Sequence, residues 1–560
     1  MSTGEQAGVL RSSALMAAGT IMSRATGLIR DMALVAAIGF GTLADTYSLG
    51  NSLPNIIYIL VAGGALNAVF IPQLVRHMQN DADGGHGFAN RLLRVVTLIT
   101  LALTLVAILA APWIVHLYAT SEYSAREFDL ALAFARLCLP QIVFYGLYTM
   151  FSQVLNARGH FGSPMFAPIV NNIVVIAAAI AFLMVAGDNL DVTTITDGQV
   201  AWLGIMTTLG VALQALVLVP VLWRSGFRFA YVKGLRGFGL GHTGKLAIWT
   251  IGLVLVNQIG FLVVTRLATL ANVLASRADV VAQGLTTYQK AYLIFMLPHS
   301  VITISIMTAL LPRMSRAAAQ QDLAKVGAYV ADGMRLVAVL IIPAAVSLGV
   351  AGPMIATVIF GFGAGSGIAS TYAGFVVVAF ALGLLPFSLF YVLLRGWYSL
   401  EDTRTPFYLT VLYNVLMVGF SLPLFYFAAV EIKVTALALG YSLAYWLTFG
   451  LAWLVLSRRL GDLQSRRTLG VLTRLIVAGL VAAVAGFTAN VYFTDWVTRA
   501  VGEQMALGFV GRPGWALGAA VLVSGVAVVV YLLLARLLRV AEISQAWAIV
   551  AAKVPVLRGR

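Results

Sequence analysis

Apolar runs of membrane-crossing length, broken by short polar or Gly- and Pro-containing links, recur along nearly the whole chain. A helix rises about 1.5 Å per residue, so about 20 apolar residues cross the hydrocarbon layer of a bilayer. Hydropathy and helix breakers predict about fourteen such helices. Their approximate bounds are 13–38, 46–75, 92–118, 128–156, 165–187, 199–223 and 246–273 in the first half. The second half gives 281–312, 327–350, 371–398, 406–428, 434–457, 470–493 and 514–538. The stretch 351–370, which holds PMIATVIFGFGAGSG, is apolar but too short and Gly-rich to span. It reads either as an extension of the ninth span or as a re-entrant piece buried in protein. The predicted class is an all-α polytopic membrane protein.

The pattern repeats internally. AVFIP at Ala68–Pro72 resembles TALLP at Thr308–Pro312, an offset of 240, and LPN at Leu53–Asn55 resembles LPH at Leu297–His299, an offset of 244. Pro164 and Asn172 recur as Pro406 and Asn414, and Arg24 recurs as Arg266, all at an offset of 242. The shared offset predicts two pseudo-symmetric six-helix lobes, 13–224 and 246–457, followed by two additional helices within 470–538. Repeated halves around a central site are a common transporter plan.

Polar exceptions inside the apolar runs carry the candidate chemistry. The first run contains SRATGLIRD, with Arg24, Arg30 and Asp31. An arginine at mid-membrane costs about 3 kcal/mol, so it normally faces a partner or a wet cavity. Arg24 and Asp31 share one helix face about 10 Å apart, and Arg30 points roughly a third of a turn away. Two readings stand: a structural ion pair with Asp31, or a cationic site for an anionic substrate. Arg266 and Lys290, in the seventh and eighth runs, are flanked by Thr265, Tyr288 and Tyr292. Snorkelling or pairing with Asp31 is their plainer reading, but one carboxylate cannot pair with all of these cations. The excess of positive charge suits an anion brought from elsewhere, and arginine's planar fork suits phosphate oxygens.

Composition agrees with the pattern: 61% of the 560 residues are apolar and only 10% are charged, against about 25% charged in soluble domains. The first run is too long and too charged for a cleaved signal peptide. Cys138 is the single cysteine and reads as a small buried apolar residue. The formal charge of +15 would suggest nucleic acid in a soluble protein. Here the basic residues gather in alternate loops, among them Arg76, Arg91, Arg158, Arg224, Arg313, Arg404, Arg458 and Arg467. The opposite loops hold mainly Asp45, Glu122, Asp188, Asp191, Glu431 and Asp495. Positive loops mark the cytoplasmic side, which places both termini there and makes the charge an orientation signal rather than a nucleic-acid site.

Catalytic candidates are few. The six histidines show no zinc-ligand spacing, and His299 reads as a hydrogen-bonded core residue. No P-loop pattern is present, so no ATP or other cofactor is expected, and GFGAGSG reads as a flexible external turn.

SRATGLIRD, GTLADTYSLGNSLPN, GGALNAVFIPQL and LPHSVITISIMTALLP together resemble the MurJ (MviN) family of lipid II flippases, within the multidrug/oligosaccharidyl-lipid/polysaccharide flippase superfamily. The resemblance runs through most of the chain. It implies a transporter, not an enzyme, that moves the lipid-linked peptidoglycan precursor outward across a bacterial cytoplasmic membrane by alternating access. The precursor and membrane lipids are the implied partners, with cell-wall synthesis or division proteins as further candidates. The family's cavity arginines fall on Arg24 and Arg30, its acidic partner on Asp31 and a further aspartate on Asp45. Tyr58 stands where the family has an arginine, and Gly63 where it has an acidic residue. The family's eighth-span arginine aligns near Leu293, leaving Lys290 one turn earlier as its substitute. The implied substrate-binding set is Arg24, Arg30, Asp31, Asp45, Tyr58, Arg266 and Lys290. The extra C-terminal helices would flank a groove for the polyprenyl tail. Some members are thought to hold sodium through seventh- and eleventh-span aspartates; Asn257, Gln258 and Asn414 are polar, but no carboxylate stands in those interiors here. No metal is expected, and the membrane potential is the simplest drive. The alternatives are a flippase for another polyprenyl-linked saccharide, a cation-coupled drug exporter and an intramembrane lipid-modifying enzyme. An exporter would want further membrane carboxylates and the enzyme a catalytic cluster.

Overall fold

The computed structural model describes residues 3–60, 74, 77–78, 81, 83–186, 190–231, 243–281, 283–501 and 512–543. AVFIP and Gly63 lie outside the described residues. Among the described residues every regular element is helical. Twelve helices or helix pairs there are long and apolar enough to cross a membrane, and two further helices, α1 (Thr3–Ile38) and α2 (Thr42–Tyr58), precede them. The chain is an all-α polytopic membrane protein.

The helices group into two units. The first comprises Met1–Val273 with Gly363–Gly365, and the second comprises Leu274–Phe362 with Ser366–Arg560. After α1 and α2, the first unit contains α3 (His86–Leu109), α4 (Ala111–Tyr118), α5 (Ala125–Cys138), α6 (Gln141–Ala157) and α7 (Gly162–Ala186). It continues with α8 (Asp197–Leu216), α9 (Leu218–Arg224) and α10 (Thr243–Arg277) up to Val273. Local chemistry sets several starts. Ser124 and Glu127 form a reciprocal capping box on α5, and Thr196 and Gln199 form another on α8, satisfying amides that a helix leaves orphaned. Helix α1 packs on α7, α2 on α5, α3 on α6, and α7 on α8. Gly50 permits the close approach of α2 to α5, because a Cβ there would stand 2.7 Å from the backbone nitrogen of Ala135. One apolar cluster, with Leu34, Tyr47, Phe134 and Phe182, fills the space where these helices meet.

The second unit holds α11 (Leu285–Pro298), α12 (Ile304–Ala319), α13 (Leu323–Phe360), α14 (Ile368–Ser399) and α15 (Arg404–Phe427). It ends with α16 (Lys433–Leu460), α17 (Ser465–Val501) and α18 (Pro513–Leu537). Helix α13 runs to Phe360, so the first part of 351–370 extends the ninth span instead of re-entering. Gly363–Gly365 is then a 3-10 turn grouped with the first unit. It is seated against α1: Gly363 has φ +52°, and a Cβ there would stand 2.4 Å from the carbonyl oxygen of Ala36. Only glycine meets both conditions. Both Leu-Pro segments of the sequence repeat lead into π-helical turns, at residues 59–60 and at His299–Thr303.

Candidate functional site

Arg30 occupies the partly buried face of α1, its side chain 31% exposed. One Nη donates to Asp31 Oδ2 at 3.4 Å and the other to Asn172 Oδ1, on α7, at 3.2 Å. Asn172 also donates through Nδ2 to the Ser23 carbonyl at 3.1 Å and to Thr26 Oγ1 at 2.9 Å. One carboxamide thus holds both the guanidinium and the α1 backbone one to two turns earlier. The ion pair with Asp31 is real, and the guanidinium still reaches an open cleft of about 600 Å³.

That cleft lies wholly within the first unit. Arg30 and Tyr145 line it together with Asn51, Ser52 and Asn55 from α2 and Asn257, Gln258 and Phe261 from α10. The buried Gln141 donates to Asn51 Oδ1 at 3.3 Å and accepts from the Tyr145 hydroxyl at 2.9 Å. Tyr58 packs behind this wall, its hydroxyl donating to Thr149 at 2.7 Å and its ring 5.7 Å from that of Tyr145. Among the described residues the chemistry available is the Arg30 guanidinium, several neutral carboxamides and apolar packing surface. That combination suits an anion joined to a neutral polar group.

The other expected residues sit elsewhere. Arg24 is exposed on α1 and does not line this cleft. Arg266 is eight residues beyond Gln258, about 12 Å along the helix, and donates to the Leu117 carbonyl at 3.4 Å. Asp45 is fully buried in the first turn of α2, where it accepts from Asn272 of α10 at 2.7 Å. Lys290 is half-buried on α11 in the second unit. In that unit His299 is a buried core residue, its Nδ1 3.0 Å from Ser388 Oγ and its ring against Phe387. Asn414 is buried and donates to the Thr410 carbonyl. Among the described residues no cluster of His, Cys, Asp and Glu has the makings of a metal site. Helices α13, α14, α17 and α18 enclose a separate, mostly apolar cavity of about 220 Å³ lined by Met354, Phe375, Phe493 and Trp515.

Sequence reasoning did not single out Asn51, Ser52, Asn55, Gln141 or Tyr145. The spacing of Asn51, Ser52 and Asn55, one turn of α2, was the available signal, since it puts three polar groups on one side of an apolar helix.

Comparison with known families decides what this arrangement belongs to. The model of the family described as lipid II flippase MurJ matches residues 34–506. The chain belongs to the MurJ family of lipid II flippases. MurJ proteins are transporters, not enzymes. A probable lipid II flippase MurJ of Haemophilus influenzae is 28% identical over 77% of this chain and 84% of its own length. That of Vibrio cholerae is 26% identical over 90% of this chain and 94% of its own. Among solved structures, a lipid II flippase MurJ in an inward closed conformation superposes with a TM-score of 0.70 at 18% identity, covering 93% of this chain and 98% of that one. An inward-facing multidrug-resistance MATE transporter of the MOP superfamily gives 0.58 at 16% identity, covering 79% of this chain and 96% of its own. These two likenesses concern the fold.

Proposed function

We propose that this chain flips lipid II from the inner to the outer leaflet of a bacterial cytoplasmic membrane by alternating access. The observation that carries the reading is Arg30, set on the wall of a polar cleft inside an apolar helical unit of a MurJ-family chain. The guanidinium engages the pyrophosphate, and Asp31 and Asn172 keep its fork aimed at the cleft. Arg24, exposed one and two-thirds turns earlier on α1, and Lys290 supply further positive charge along the substrate's path. Arg266 and Asp45 act by securing α10, through Leu117 and Asn272, and Tyr58 by backing Tyr145. The helices α17 and α18 flank the polyprenyl tail, a reading supported by the apolar cavity at Trp515. Both termini face the cytoplasm, as the loop charges favour, and cell-wall synthesis enzymes on the outer face take the product.

The test is rescue of a bacterium whose own lipid II flippase can be switched off. Expression of this chain restores growth. Arg30→Ala inserts in the membrane at normal levels but does not rescue, and Arg30→Lys rescues in part, because a point charge does not reproduce the bidentate fork. Full rescue by Arg30→Ala would remove this residue from the mechanism.

A further inference from the structure

At one end of the first unit, α7 and the α8–α9 junction line an open groove of about 500 Å³. Its walls are apolar, formed by Phe166, Ala167 and Val170 of α7 with Val217 and Val221, and His160 and Ser163 stand at the turn into α7. The helices and turns that build it carry positive charge without acidic compensation. From Gln141 to Ala186 and from Gly198 to Tyr231 the chain has Arg158, His160, Arg224 and Arg228 but no Asp or Glu. Arg158 engages the Ser225 carbonyl and His86, and Arg228 the carbonyls of Trp223 and Phe227. Arg224, exposed and three residues beyond Val221, has no side-chain partner among the described residues.

The internal repeat supplies the comparison. The offset of 242 that relates Pro164 to Pro406 sets His160 against Asp402. In the second unit Asp402 accepts from the backbone amides of Arg404 and Thr405, each at 3.0 Å, and pairs with Arg459 in the last turn of α16. In the first unit α9 likewise ends on a cation, Arg224, but His160 brings no negative charge to meet it. The second unit thus has its own carboxylate where the first presents a groove. A bare phosphate would leave most of 500 Å³ empty beside apolar walls, whereas a phosphate carried on acyl chains satisfies the cation and covers the walls. We propose that the groove binds one anionic phospholipid, its phosphate between His160 and Arg224 and an acyl chain along Val170 and Val217. The loop charges favour the cytoplasmic leaflet for this end of the unit, and arginines there attract anionic headgroups. The lipid fastens the start of α7, the helix that carries Asn172. The site stands apart from the Arg30 cleft and does not depend on what that cleft carries.

Purified full-length protein in detergent is titrated with phosphatidylglycerol and, separately, with phosphatidylcholine of the same acyl chains, and bound lipids are counted by native mass spectrometry. Wild type holds one phosphatidylglycerol about tenfold more tightly than any phosphatidylcholine. His160→Asp installs the carboxylate that the second unit has, so it loses that tightly held lipid without a lower thermal midpoint. Arg224→Gln, at an exposed position, weakens phosphatidylglycerol about fivefold and leaves phosphatidylcholine unchanged. Val217→Trp, at a position 42% exposed, fills the groove and displaces the lipid. Equal affinity of wild type for the two lipids overturns the anionic site. Undiminished phosphatidylglycerol binding by His160→Asp or by Arg224→Gln overturns the placement of the phosphate. Undiminished binding by Val217→Trp overturns the groove, by assigning the lipid to a headgroup contact on the surface.

Discussion

Asn172 is the residue on which the Arg30 geometry turns. It accepts from the guanidinium and donates to Ser23 and Thr26, so its removal frees the fork from its tie to α1. Asn172→Ala is expected to lower lipid II transport about tenfold or more at normal expression, the cost of one charge-assisted hydrogen bond. A double-mutant cycle separates positioning from mere packing: Asn172→Ala then has little further effect in the Arg30→Lys background. Additive losses would show that Asn172 does not act through Arg30. The sequence displayed Arg30 and Asp31 because charges are rare in an apolar run. Asn172 is 142 positions away, and nothing local ties it to Arg30. The cleft's carboxamides escaped for a related reason: neutral polar side chains are ordinary in membrane helices, and only their convergence on one cleft distinguishes them. Arg24 and Arg266, linked by the shared offset of 242, have the same outcome: neither lines the cleft, and Arg266 bonds the Leu117 carbonyl.

At the scale of elements, apolar length and breakers were legible almost span by span, while packing between distant elements was not. Thr3–Ile38 begins ten residues ahead of the apolar run. The Gly363 seat on Ala36 and the Gly50 seat on Ala135 are tertiary facts that only backbone proximity reveals. The same holds for the segment after α18. Glu542 is buried and accepts from Arg467 of α17 at 3.2 Å, and it pairs with Arg335 of α13 at 3.3 Å. Arg335, almost fully buried, also engages Asp332 and donates to Thr468 at 2.9 Å. Breaking such a pair strands a buried charge. Because Arg335 keeps Asp332 and Thr468, Glu542→Ala is expected to cost about 2 kcal/mol, read as a lower thermal midpoint in detergent, with Glu542→Gln intermediate. An unshifted midpoint for Glu542→Ala would show that this end of the chain is not clasped to α13 and α17.

For the whole molecule the question is what drives an anion outward. No nucleotide motif is present in the chain. A pyrophosphate diester carries roughly two negative charges, and an inside-negative potential pushes it toward the outer leaflet. At about 2.3 kcal/mol per charge per 100 mV, full transfer gains roughly 4–5 kcal/mol, provided Arg24 and Arg30 return without their anion or move little through the field. The central claim, that Arg30 carries the pyrophosphate of lipid II across, is tested most directly in sealed vesicles with a leaflet-resolved lipid II assay, with valinomycin and graded potassium setting the potential. Wild-type protein is predicted to move lipid II toward the positive side, faster as the potential rises, with sodium and proton gradients held at zero. Arg30→Ala is predicted to move none above protein-free vesicles. Transport by Arg30→Ala at the wild-type rate would contradict the account.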